Sequence, residues 1–184
     1  MIQRLKDKLG NRSNASAELE FANTVGWRVG EPGRGVRAIL TMVGQTRFDC
    51  ILGTAGGVRQ SVAYPNRWPR PYGMPATAVS MRLSSACDDD AGDAERAFRR
   101  LGTALTKYWV CKRGPNPAYE AMEYLAGNGY IEDFPLAMRS REQPVMAIWE
   151  GTCNVIALDV LSWMCCERWP PNPNLWMRFS RSCG

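Results

Sequence analysis

The stretch AERAFRRLGTALTKYWVCKRGPNPAYEAMEYLAGNGY, residues 94 to 130, decides the fold. Ala97, Phe98, Leu101, Ala104, Leu105 and Tyr108 recur at helical spacing on one face, and Glu95, Arg96, Arg99, Arg100 and Lys107 take the other. Asn116-Pro117 reads as an N-cap followed by proline at the first helical position. Ala118, Ala121, Met122 and Leu125 then form a second apolar stripe, and Gly127 ends the helix. Stripes of this kind belong to an array of helices packed on one another.

Upstream, Gly30-Glu31-Pro32-Gly33-Arg34-Gly35 breaks the chain before Val36, Ile39, Leu40 and Val43 restore helical spacing. This helix is predicted to run toward Val62. Gly44, Gly53, Gly56 and Gly57 each cost about 1 kcal/mol inside it relative to alanine, and such glycines mark close helix packing. Before it, Ala17–Phe21 and Val25–Val29 alternate polar and apolar residues, a two-strand signature too small to stand alone. Pro65, Pro69, Pro71 and Pro75 interrupt everything from Tyr64 to about Ala86, and no regular helix is predicted there before about Thr77. A last helix starts at Thr152 with Val155, Ile156, Leu158, Val160 and Leu161, and the pattern dissolves beyond Ser162. The expected organisation is mainly α: a strand remnant over 1–32, an antiparallel, four-helix-bundle-like domain over 33–162 disrupted at about 64–86, and an irregular tail over 163–184.

Composition narrows the chemistry. Histidine is absent, so Ser-His-Asp and Cys-His catalysis and any His-ligated metal are excluded, and acid–base work falls to a carboxylate. The seven cysteines form no CxxC pair, which points to a reducing, cytoplasmic setting and no metal site. No apolar run approaches the roughly 20 residues needed to cross a bilayer, so no membrane partner is expected. A formal charge of +5 permits an acidic partner without requiring one.

Three stretches together resemble the acyl-CoA dehydrogenase family. They are Lys8-Leu9-Gly10-Asn11-Arg12-Ser13 through Gly35, which is similar to the end of that family's middle β domain; Thr41-Met42-Val43 through Thr46-Arg47-Phe48-Asp49, similar to its first C-terminal helix; and Leu125-Ala126-Gly127-Asn128-Gly129-Tyr130, Arg139-Ser140-Arg141-Glu142 and Ile148-Trp149-Glu150-Gly151-Thr152. Trp149 before the Glu-Gly-Thr triplet, with Cys111-Lys112-Arg113-Gly114 and Phe48-Asp49-Cys50, resembles the branch linked to the DNA alkylation response.

The resemblance implies an FAD-dependent, homo-oligomeric oxidoreductase acting on acyl-CoA thioesters. Glu150 would remove the α proton while the β hydrogen leaves as hydride to flavin; an apolar setting from Ile148 and Trp149 would suit a base. On the residues alone Glu150 reads as a helix-start glutamate stabilised by the dipole. Gly127, Gly129, Thr152 and Asn154 match positions that approach FAD, with a helix-ending turn and an N-cap as the plainer readings. Arg47 matches a substrate-side arginine and reads equally as a solvated helix charge. The branch also implies possible DNA contacts at Arg96, Arg99, Arg100, Lys107, Lys112 and Arg113, which otherwise make a solvated helix face. An Arg-x-x-Phe-Gly motif and a second long helix are not recognisable between Tyr64 and Ala86. The isolated chain is therefore expected not to complete a redox site, and a truncated bundle without activity is the third reading.

Overall fold

The computed structural model describes residues 1–63 and 92–165. Strands β1 (Ile2–Leu5) and β2 (Ala17–Leu19) pair antiparallel, with Ile2 opposite Leu19, Leu5 opposite Ala17, and an irregularity between Ile2 and Arg4. Six helices come after them among the described residues: α1 (Gly35–Ala63), α2 (Asp93–Thr106) continuing into a π-helical turn (Lys107–Cys111), α3 (Pro115–Tyr124), the short α4 (Gly127–Tyr130), α5 (Pro135–Ile148) and α6 (Cys153–Cys165). The body is a mainly α, antiparallel helical array preceded by a small two-stranded sheet, as the periodicity predicts.

Second-half residues of α1 build the core. Cys50, Ile51, Ala55 and Val58 are buried there, facing Val110 and Cys111, Ala118 and Ala121, and Leu136 and Ala137 from the helices that α1 packs against. Burial of this kind contributes roughly 25 cal/mol per Å² of apolar surface. Close packing at the glycines of α1 is real at two of the four. A Cβ at Gly57 would stand 1.9 Å from Gln143 Nε2 and one at Gly53 would touch Met146, whereas Gly44 and Gly56 face open space.

Several expectations need correction. Val25–Val29 forms no strand; β2 pairs with Ile2–Leu5 instead, and Val25, Trp27 and Val29 stand fully in solvent with no second edge beside them. The cap of α3 is Gly114 and its N1 proline is Pro115, two residues earlier than Asn116-Pro117 suggested. Ala126, not Gly127, takes the positive φ after α3 (φ 50°, ψ −134°), and Gly127 opens α4. Helix α6 runs three residues past Ser162. Disruption at 64–86 and the tail beyond 165 lie outside the described residues.

The span Pro135–Ser162 is apolar and long enough, by length and composition, to cross a membrane, with an 18-residue window of mean hydropathy 1.3. It is, however, two helices of 14 and 13 residues broken at a turn, and neither reaches the roughly 20 residues a bilayer requires.

Candidate functional site

That turn carries Glu150. Helix α5 stops at Ile148, Trp149 is extended, and Glu150 (φ 59°) and Gly151 (φ 98°) are both left-handed before Thr152 accepts the first backbone hydrogen bond of α6, from Ile156. For glutamate this conformation costs about 1 kcal/mol or more, and it persists only where the surroundings over-determine it.

Two cations from different helices supply that constraint. Arg47, on α1, donates from Nε to the Glu150 carbonyl at 2.9 Å and from Nη1 to Asp159 Oδ2 at 3.1 Å. Lys107, on the π turn, donates from Nζ to the Gly151 carbonyl at 2.6 Å and reaches the Ala147 carbonyl at 3.5 Å. The Glu150 carboxylate, half-buried, has no hydrogen-bond or ion-pair partner among the described residues.

Behind the turn sit three buried thiols. Thr54 Oγ1 donates to Cys111 Sγ at 3.3 Å, Cys111 Sγ donates to the Cys50 carbonyl at 3.5 Å, and Cys153 faces the carbonyls of Tyr108 and Ala147 at 3.9 Å. Burial pushes the Cys111 thiol up to about 11 against the pull of Thr54 and Lys107. Burial also raises Cys50, with Lys107 opposing and Glu150 and Asp49 adding. Protonated thiols are poor nucleophiles and ligands. Among the described residues no cluster of metal-ligating side chains exists.

Arg47 also lines a cavity of about 720 Å³ between α1, α2 and α6, walled by Leu40, Val43, Phe48, Val155 and Leu158 with Arg99 and Asp159. Its size lies in the range of small-molecule sites. Gly127 has open space where a Cβ would project, whereas at Gly129 a Cβ would stand 2.0 Å from the Met122 carbonyl oxygen, so Gly129 serves helix packing. Thr152 and Asn154 are exposed at the start of α6. Lys8 lies over the Trp149 ring at 5.8 Å, and Gly10 lies against the backbone of Arg141, so the N-terminal segment seats on α5.

The proposed nucleic-acid contacts do not form one face. Lys107 is wholly buried, contrary to its placement on the outward side of α2: it stands one regular helical turn after Thr103 and Ala104, which are buried too. Arg96, Arg99 and Arg100 line the cavity, Arg96 also pairing with Asp93, while Lys112 and Arg113 lie over the Tyr108 and Trp109 rings. Sequence reasoning missed Lys107 as part of the site; its place three residues after Ala104, on the apolar stripe, is the signal that could have found it.

Comparison with known proteins agrees with this architecture. A profile of the acyl-CoA dehydrogenase C-terminal domain matches residues 76–164. The chain is 42% identical over 183 residues to AidB of Escherichia coli (strain K12), named as a putative acyl-CoA dehydrogenase, covering 87% of this chain and 34% of that protein. The structure of Caenorhabditis elegans ACDH-11 in complex with C11-CoA superposes with a TM-score of 0.78 at 26% identity, covering 98% of this chain and 34% of that one. The apo form of Bd2924 gives 0.83 at 25% identity, over 91% and 39%. The chain thus spans about a third of the length of these curated relatives. By its family profile, its relatives and its fold, this chain belongs to the acyl-CoA dehydrogenase family and carries that family's C-terminal helical domain.

Proposed function

We propose that this chain supplies the base-bearing helical part of an FAD-dependent acyl-CoA dehydrogenase, with Glu150 removing the α proton of an acyl thioester. One observation carries the reading: Arg47 joins the cavity wall to the backbone of the Glu150 turn, so an acyl chain lying along Leu40, Val43, Val155 and Leu158 would end near the turn that bears this carboxylate. Glu150 accepts the proton, and the clamped turn fixes where its carboxylate stands. Arg47 is engaged by Asp159 and the turn, which gives it a scaffolding part beside its substrate-side position.

FAD, when bound, supplies the acceptor for the β-hydride. The residues present fit one edge of such a cofactor: exposed Thr152 and Asn154 stand at the first turn of a 13-residue helix whose leading N–H groups favour anions, and Gly127 leaves its backbone open to approach. The chain by itself is proposed to bind acyl-CoA without oxidising it.

Calorimetric titration with an eleven-carbon acyl-CoA tests the pocket. The expected result is saturable binding that Leu158→Trp, at an exposed position projecting into the cavity, weakens at least about tenfold. Equal binding by both proteins would remove the cavity from the proposal.

A further inference from the structure

We propose that Lys107 is the positioning residue of the site: by fixing the carbonyls around Gly151 it sets the direction in which Glu150 presents its carboxylate. The inference rests on the reading of Glu150 as the base and adds a residue to it.

Lys107 is the largest fully buried side chain in the described structure, with none of its surface exposed. A lysine taken out of water is costly unless its three donors are met, and among the described residues no carboxylate lies within ion-pair reach of it. Its partners are backbone oxygens at one place only, Gly151 at 2.6 Å and Ala147 at 3.5 Å. A core position requiring only volume would hold methionine or leucine at less cost.

The placement has a function that volume does not explain. Ala147 belongs to the last turn of α5, where carbonyls lack helical partners and the negative end of the dipole favours a cation. Gly151 comes directly after Glu150, and the two consecutive left-handed residues have no backbone hydrogen bond of their own to hold them. With Arg47 on the Glu150 carbonyl and Lys107 on the next, both peptide planes flanking Gly151 are fixed from opposite helices. The first of those planes contains the Glu150 Cα, and the second anchors it to α6, so the backbone from which the Glu150 side chain leaves is held in place. Lys107 follows buried Thr103 and Ala104 by one helical turn and opens the π turn over Lys107–Cys111, and π turns of this kind recur at functional sites.

Amide hydrogen exchange of the full chain, wild type against Lys107→Met, tests this without any cofactor. Methionine keeps the volume and removes the donor. The expected result is exchange faster by roughly ten- to a hundredfold at the amides of Trp149 and Ile156, whose bonds to the Val145 and Thr152 carbonyls flank the turn, the loss of one charge-assisted bond, with α3 unchanged and the melting temperature within a few degrees of wild type. A residue serving only the core would instead speed exchange throughout and lower the melting temperature. Unchanged exchange at the turn, or a uniform rise, overturns the proposal. Should the variant not fold, the wild type decides: a slowly exchanging Lys107 ammonium with a scalar coupling across the hydrogen bond to the Gly151 carbonyl supports the clamp, and a freely exchanging ammonium without it contradicts it. Failure of Glu150 as a base would leave these readouts untouched, so the two claims fall separately.

Discussion

Among the described residues two turns force a non-glycine residue into positive φ between helices, and they are held in different ways. Ala126, between α3 and α4, is fixed by its own neighbourhood: its N–H donates to the Glu123 carbonyl at 2.8 Å, its own carbonyl accepts from Gly129 at 3.0 Å, and Gly129 is jammed against Met122. Glu150, between α5 and α6, is fixed by side chains from 103 and 44 positions away in sequence, counted to Arg47 for its own carbonyl and to Lys107 for that of Gly151. The first strain is structural and could be removed without chemical consequence. The second fixes a carboxylate, and relaxing it should cost the chemistry.

The largest test of this contrast is Gly129→Ala. Its Cβ would overlap the Met122 carbonyl oxygen, and a loss of about 3 kcal/mol is expected in thermal or urea unfolding. If the variant is as stable as wild type, the Ala126 turn is not locked by packing.

Next comes the alkaline limb behind the Glu150 turn. Cys111 is raised from an ordinary 9.0 to about 11 on folding, so the stability it contributes is complete below pH 9 and is lost as pH rises through 11. The total is up to about 2–3 kcal/mol. Stability between pH 8 and 11 should fall more steeply for wild type than for Cys111→Ala, and coincident slopes would show that the thiol is not buried there.

Arg47→Met should remove the bonds to Glu150 and Asp159 together, lowering stability by about 2 kcal/mol. The loss should concentrate at the turn, seen as local exchange, while the Ala126 turn holds. Smallest are two expected gains of about 1 kcal/mol or less, Ala126→Gly and Glu150→Gly, each relieving a positive φ. Only the second should abolish proton transfer. If either destabilises, the strain assigned to that turn is absent.

The same contrast explains what could be read from the sequence. Helix faces were legible because α2 and α3 keep their stripes locally: Phe98, Leu101, Ala104, Ala118 and Ala121 are buried as their spacing predicts. The Glu-Gly-Thr turn was legible as a motif at Glu150, Gly151 and Thr152. Its clamp was not, since the charge of Lys107 reads as a solvent-facing cation while its place one turn after Thr103 and Ala104 carries it inside. Strand pairing failed for a related reason. Val25–Val29 alternates as well as Ala17–Phe21 does, but alternation shows only that a residue can pair, and the edge available to β2 was Ile2–Leu5. Likewise the first half of α1 keeps its spacing while Val36, Ile39 and Leu40 remain exposed, because a stripe does not specify what covers it.

The base assignment itself is tested most directly by α-proton exchange in heavy water, measured on phenylacetyl-CoA by NMR or mass with the chain present. Its acidified α-carbon needs no oxidant to exchange. Wild type should accelerate deuterium incorporation and Glu150→Gln should lose about a hundredfold of that acceleration while melting as wild type does. Equal rates for the two proteins would contradict the account.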